Sequence, residues 1–384
     1  MERSVDAPPP ITTPPSEAQT SPGGRKFPCR QCGAKLDFDP SQQALQCPYC
    51  GFVEAIAADG GEVAEHDYES YLKHHAGATA TIQGHSEQVR CTGCGAMLLL
   101  EDRVVTEQCP YCATHIENQP ESAAAMIAPE SLLPFHVDQR AARAEFEKWL
   151  HSLWFAPTEL RKLADLGRLT GVYVPYWTYD SMTFTRYTGQ RGDNYTATQT
   201  YVVTDSDGRP QTRTRTVVLT RWTRVGGDVE HFFDDVLICA SKSMPVDMVA
   251  ELTPWDLDNL TAFKAEYLSG FKTERYAVGL DEGFGFARNI MAGAIQQLVR
   301  RDIGGDHQQI ESLSTEHRGV TFKHLLLPIW IASYRYHNQL FQVLVNARTG
   351  EVVGRRPYSV WKIFFLVMAI ILVAGSMAFL IARH

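Results

Sequence analysis

Residues 29–50 read CRQCGAKLDFDPSQQALQCPYC, and residues 91–112 read CTGCGAMLLLEDRVVTEQCPYC. Both are C-x2-C-x14-C-x2-C, and each cysteine of the second copy lies 62 residues after its counterpart in the first. A C-x2-C turn offers two thiolates from one knuckle, and two such knuckles complete the tetrahedron that zinc prefers. Cys29, Cys32, Cys47 and Cys50 therefore form one expected metal site, and Cys91, Cys94, Cys109 and Cys112 the other. Gly33, Gly51 and Gly95 follow a knuckle's second cysteine, where a left-handed residue is useful. The fourth knuckle has Ala113 there, so its turn is expected to differ slightly. Ala34/Ala96, Gln46/Gln108, Pro48/Pro110 and Tyr49/Tyr111 extend the duplication.

Three other readings of these cysteines compete. Cys-Pro-Tyr-Cys is also a dithiol redox motif, but that motif needs a helix running from its first cysteine, and no helical pattern follows either copy. Disulfides need an oxidising compartment, to which nothing directs the chain. Iron would accept the same four thiolates; two Zn²⁺ are the expected cofactors, with iron second. Four thiolates leave no open position for water or substrate, so both sites are expected to be structural. Metal binding should supply the folding energy of each ribbon, about 10–16 kcal/mol per site in small zinc peptides. On this modular view a chelator unfolds residues 27–115 and leaves the rest folded.

Outward from the ribbons, the chain divides by composition. Residues 1–26 are rich in Pro, Ser and Thr and read as a disordered tail without a secretory signal. Ribbon 1 covers 27–52, a linker with a short polar helix near 62–75 covers 53–88, ribbon 2 covers 89–116 and a second linker covers 117–130. Residues 131–357 read as an α+β domain with antiparallel strands. Leu132–Val137 is a short expected strand, and Asp138 can cap a helix carrying Phe146, Trp149, Leu150 and Leu153. A second helix is expected near Pro157. Period-two alternation over 195–204 and 211–222, around the turn residues Asp205–Gly208, predicts a long hairpin. Apolar residues from Phe284 to Leu298 predict a helix over 282–301. Val174-Pro175-Tyr176-Trp177 and Leu327-Pro328-Ile329-Trp330 read as two similar hairpin starts, and Phe341–Val345 with Val352 as a strand, a tight turn and a strand.

Residues 363–382 carry no charge, and twenty helical residues span about 30 Å, the thickness of a bilayer's hydrocarbon. A single C-terminal transmembrane helix is expected there. Arg355, Arg356 and Lys362 precede it, so the expected topology is tail-anchored in the cytoplasmic (inner) membrane, with the N-terminal region in the cytoplasm.

No catalytic motif is present. The chain lacks a G-x4-G-K-[ST] loop, an H-E-x2-H pair and a G-x-S-x-G elbow, so no catalytic or cofactor-binding residue beyond the cysteines is expected and the protein is read as non-enzymatic. Asp228, Glu230, His231, Asp234 and Asp235 could in principle hold a divalent ion but read better as a solvated strand edge; Asp302, Asp306 and His307 read likewise. Cys239 reads as a core strand residue. Residues 1–130 hold 8 Lys+Arg against 18 Asp+Glu, a net of −10 within a chain total of −8. An acidic double ribbon suits a protein partner better than nucleic acid, whose phosphates require basic surface.

The runs CxxCGA, QCPYC, LWFAP, YVPYWTYD, HFFDDVL, PWDL, YLSGF, LPIW and VLVNARTGEV resemble a bacterial family of TFIIB-type zinc-ribbon membrane proteins. Its members often carry the label "primosomal protein N′ (replication factor Y), superfamily II helicase". The helicase motifs are missing here, so the resemblance implies no ATPase. It implies an association with SPFH (stomatin/flotillin-like) or phage-shock-type membrane proteins. The function expected is a non-enzymatic, tail-anchored adaptor that binds protein partners of such an assembly; the alternative is a membrane-tethered nucleic-acid-binding, helicase-accessory protein.

Overall fold

The computed structural model describes residues 27–57, 63–75, 87–99, 106–117, 121–122, 127–154, 169–204, 209–336, 339–356 and 359–382. The helix expected near Pro157, the turn at 205–208 and the tail at 1–26 lie outside them. In chain order, ribbon 1 contains β1 (Asp37–Asp39), β2 (Ala44–Gln46) and β3 (Val53–Ala55). Then come β4 (His66–Asp67) and α1 (Tyr68–His75). Ribbon 2 contains β5 (Glu87–Arg90), β6 (Met97–Leu99), β7 (Thr106–Gln108) and β8 (His115–Glu117). Next are β9 (Glu121–Ser122), β10 (Ser131–Leu132), α2 (Gln139–Ser152), β11 (Thr170–Thr204), β12 (Pro210–Cys239), α3 (Val246–Glu251), β13 (Thr261–Ala262) and β14 (Lys272–Glu274). The chain continues with α4 (Leu280–Ile303), β15 (His307–Tyr336), β16 (Gln339–Asn346), β17 (Val352–Gly354) and α5 (Val360–Ala382).

Three very long strands dominate. β11 has 35 residues, and β12 and β15 have 30 each. Their Thr, Val, Tyr and Arg content suits a pleated surface. β15 runs antiparallel to one edge of β11 from Thr170 to Gly192; β12 takes the other edge from Tyr176 to Thr204. The two Pro-containing tetrapeptides lie side by side in this ladder, with Val174 opposite Leu327. β14 occupies the edge of β11 at Val172–Tyr173, and β6 of ribbon 2 pairs with β14, so that ribbon joins the large sheet. α4 coincides with the predicted 282–301 helix and buries Phe284, Ala287, Met291, Ile295 and Val299 against Tyr179, Tyr187 and Phe233. Asp138 caps α2, its Oδ1 accepting from the Ala141 N–H at 2.7 Å.

The expected fold class needs correction on two points. An α+β domain was the expectation for 131–357; strand predominates instead, because the period-two runs are continuous over 30 residues or more where the sequence suggested shorter ones. The second point is the C-terminal transmembrane helix. Among the described residues, no helix is long and apolar enough to cross a membrane. α5 is a helix over Val360–Ala382. The single-pass, tail-anchored localisation in the inner membrane expected from residues 363–382 is therefore not supported.

Candidate metal centres

In ribbon 1 the two knuckles are the same hydrogen-bonded turn. The Cys29 N–H donates to Ala34 O and the Gly33 N–H to Cys29 O; the Cys47 N–H donates to Phe52 O and the Gly51 N–H to Cys47 O. Ribbon 2 repeats this with Cys91/Ala96, Gly95/Cys91, Cys109/Thr114 and Ala113/Cys109. Each turn ends on a left-handed residue: Gly33 (φ 70°), Gly51 (74°), Gly95 (77°) and Ala113 (57°). The fourth knuckle thus keeps the common turn despite its alanine, and carries the steric cost of a Cβ there.

These turns converge the thiols. Cys29 and Cys50 Sγ lie 3.6 Å apart and Cys32 and Cys47 Sγ 3.5 Å; in ribbon 2 Cys91 and Cys112 are at 3.4 Å and Cys94 and Cys109 at 3.6 Å. Within each tetrad all four Sγ atoms lie within 4.8 Å of one another. A tetrahedral metal with bonds of about 2.3 Å to sulfur separates its ligands by about 3.8 Å. Two cysteine tetrads could therefore hold metal ions, and all eight predicted ligands fall into the two groups the spacing assigned. Burial opposes ionisation of Cys47, but N–H groups of Cys50 and Tyr49 and the Cys32 thiol outweigh it and bring the group down to about 6. In ribbon 2 the Cys109 thiol, donating to Cys94, is the main reason Cys94 falls to about 5. In each site one sulfur is already disposed to be a thiolate, the form that binds metal.

The two centres are seated differently. Ribbon 1 docks by its strands: Leu36, Phe38 and Leu45 share a core with Leu132, Phe135, Tyr173 and Trp330. The Ser269 hydroxyl donates to Leu36 O at 2.6 Å, and the Phe38 N–H donates to Ser269 O. Its second knuckle faces outward, with Tyr49 83% exposed. Ribbon 2 docks by that same knuckle. Tyr111, the counterpart of Tyr49, is 0% exposed and its hydroxyl donates to Glu274 Oε2 at 2.5 Å. Glu274 also accepts from the Ser241 and Ser243 hydroxyls at 2.9 and 2.5 Å. Burial is the main influence on this carboxyl and raises it to about 7 against the pull of its three hydroxyl donors. The Tyr111 carbonyl accepts from Gln342 Nε2 and the Ser333 hydroxyl. Sequence reasoning missed this cluster, because the repeat treats Tyr49 and Tyr111 alike and nothing near Glu274 marks it.

The other polar residues singled out in the sequence do not converge on a site. Asp234 and Asp235 do approach Asp180. However, the register of β11 against both partners shifts there, and Asp235 sits at φ 48° in the irregularity. Asp180 serves that bulge: Oδ1 accepts from the Asp235 N–H at 2.6 Å and Oδ2 from the Thr321 hydroxyl at 2.9 Å. Lys323 sits among the acids, 2.7 Å from Asp235 and 3.0 Å from Glu65, and supplies the countercharge. Asp228 pairs with Arg186, Asp302 accepts from the Tyr187 hydroxyl, and Asp306 from the Asn194 N–H. Cys239 ends β12 beside Tyr176, and burial pushes its thiol up to about 12.

No protein-family model and no solved structure matches the chain. The chain is similar to the uncharacterized protein YdjG of Bacillus subtilis (strain 168), with 23% identity over 340 residues that cover 88% of this chain and 91% of that protein.

Proposed function

We propose that the protein is a non-enzymatic zinc-ribbon adaptor that binds a protein partner. The observation that carries this reading is the pair of all-thiolate tetrads, which have no position left for substrate, one anchored in the core through Tyr111 and the other presenting its Tyr49 knuckle to solvent. Zinc is the metal proposed, since thiolate tetrahedra suit it and it adds rigidity without redox chemistry. The acidic charge of residues 1–130 favours a protein surface over phosphate at this end. The family resemblance supports partners of the SPFH or phage-shock type.

Metal analysis of the purified chain is expected to give two zinc ions per protein. A pull-down with wild type, Tyr49→Ala and Cys47→Ser/Cys50→Ser should show a partner that is retained by wild type and lost from both variants. A metal-free wild-type protein, or partners shared equally by all three, refutes the reading.

A further inference from the structure

β15 leaves β11 at Gly192, but β11 and β12 continue together to Thr204 and Pro210. Twelve more residues at about 3.3 Å each make a two-stranded arm roughly 40 Å long. No other strand among the described residues pairs with it, and nearly all its residues are exposed on both faces. An isolated two-stranded hairpin is marginal in water, so an arm of this length calls for a purpose.

Its chemistry is unlike the rest of the chain. Residues 193–204 and 209–224 carry five arginines against one carboxylate, Asp193, and the connecting sequence adds Asp205 and Asp207, within a protein of net charge −8. The register separates the two faces. Tyr195 faces Leu219, Gln199 faces Arg215, and Tyr201 faces Arg213, so odd positions share one side. That side carries Arg213, Arg215 and Arg221 interleaved with Tyr195 and Tyr201. The Arg215 guanidinium lies 5.5 Å from the Tyr201 ring and that of Arg221 5.1 Å from Tyr195, which holds the cations flat on the surface. The other side carries threonine at every second position over 196–200 and 212–216. α4 and the Gly304–Gly305 turn that ends it cover the odd face as far as Gly189 and Arg191; from Tyr195 outward that face is exposed.

We propose that this arm binds the phosphate backbone of nucleic acid through its Arg–Tyr face. Beyond Asp193 at its base, which pairs with Arg191, every polar side chain of the described arm can donate to a phosphate oxygen. A two-stranded ribbon also fits the major groove, and tyrosine between arginines serves single strands by stacking. The acidic ribbons do not oppose this. They touch β11 near Tyr173, and Gln199 lies 26 residues further along the strand, roughly 85 Å away, against a screening length of about 8 Å at physiological salt. Net charge therefore says little about the arm. An acidic protein surface is the rival occupant; Ala197, Val217 and Leu219 make a short apolar strip in the middle of that face, and the arginines on either side of it, set among hydroxyl and amide donors, favour the sugar–phosphate chain.

The test uses the full-length, zinc-loaded chain and fluorescein-labelled 20-base DNA, single-stranded and duplex, read by anisotropy from 50 to 200 mM salt. Wild type should bind, with affinity falling steeply as salt rises. Arg213→Ala/Arg215→Ala/Arg221→Ala should lose about 10-fold or more at 50 mM, uniformly over sequences, and reduce the salt slope by about 2–3. The triple Arg→Lys variant should keep most of the slope. Unchanged zinc content and circular dichroism in each variant separate loss of contact from loss of fold. In wild type, hydrogen exchange over 210–222 should slow when DNA is added, a readout needing no variant. Absence of wild-type binding at 50 mM, or equal binding by the Ala variant, overturns the proposal. Equal competition by a poly-glutamate peptide also overturns it, in favour of an acidic protein.

Discussion

Replacing Tyr111 by Phe keeps the ring that fills the pocket under ribbon 2 and removes only the hydroxyl that donates to Glu274. The size of the effect depends on the charge of that carboxyl. Its usual value of 4.5 is raised to about 7 in the fold, so the folded state prefers it neutral. Stability from this group is complete below pH 4.5 and is lost as pH rises through about 7, on the order of 3 kcal/mol over the whole window. The Tyr111 hydroxyl lowers the carboxyl's value and so limits that loss. At pH 5 the carboxyl is neutral in wild type and variant, and the variant gives up an ordinary hydrogen bond worth about 1 kcal/mol. At pH 8 wild type carries a buried carboxylate with three donors, and the variant gives up a bond to a charged group, about 1.5–3 kcal/mol. The destabilisation should therefore grow with pH. Urea unfolding of both proteins in parallel, at pH 5 and pH 8 with saturating zinc, measures the difference; the pH dependence of thiolate–metal binding is common to both and cancels. A difference independent of pH, or larger at pH 5, refutes the assignment of Glu274 as a buried group that ionises with Tyr111 as donor.

Two further outcomes follow from the ribbons. Ala113→Gly relieves the Cβ at φ 57° and should stabilise ribbon 2 by about 1 kcal/mol, seen as slower zinc transfer to a competing chelator, whereas Gly95→Ala should speed transfer. Zinc removal should not leave a modular remainder: because Leu36, Phe38 and Leu45 share a core with Phe135, Tyr173 and Trp330, chelation should also raise hydrogen exchange in β15 around Leu325–Ile331, and unchanged exchange there would restore the modular picture.

Both tetrads were legible because a metal site is a local problem. Each C-x2-C turn brings two sulfurs together through its own backbone, and the 14-residue spacer only has to return once. The long hairpin was legible for a similar reason, since alternation shows in a single strand. Strand length was not legible: β11 runs uninterrupted through Pro175 and Gly192 because β15 and β12 hold it on both edges, and these partners come from residues 307–336 and 210–239. Asp234 and Asp235 were read as part of a solvated strand edge, and their meeting with Asp180 was not legible, because the bulge that joins them exists only once three strands are in register. The membrane helix was read from an uncharged run of twenty residues; among the described residues no helix is long and apolar enough to cross a membrane.

Tyr49 and Tyr111 mark where sequence ends and tertiary structure begins. The two C-x2-C-x14-C-x2-C runs by themselves determined two cysteine tetrads that could hold metal and which four sulfurs share each, since these depend on turns of a few residues; the turn at Ala113, expected to differ, keeps the common form. They could not determine that one tyrosine points to solvent and the other lies buried on Glu274. That depends on which face of each ribbon meets β14 and β11, a choice made by apolar area and hydrogen-bond partners more than a hundred residues away. The charge of the arm has the same origin: its arginines are visible in sequence, but only the extension of β11 and β12 beyond β15 carries them tens of ångströms clear of the acidic ribbons.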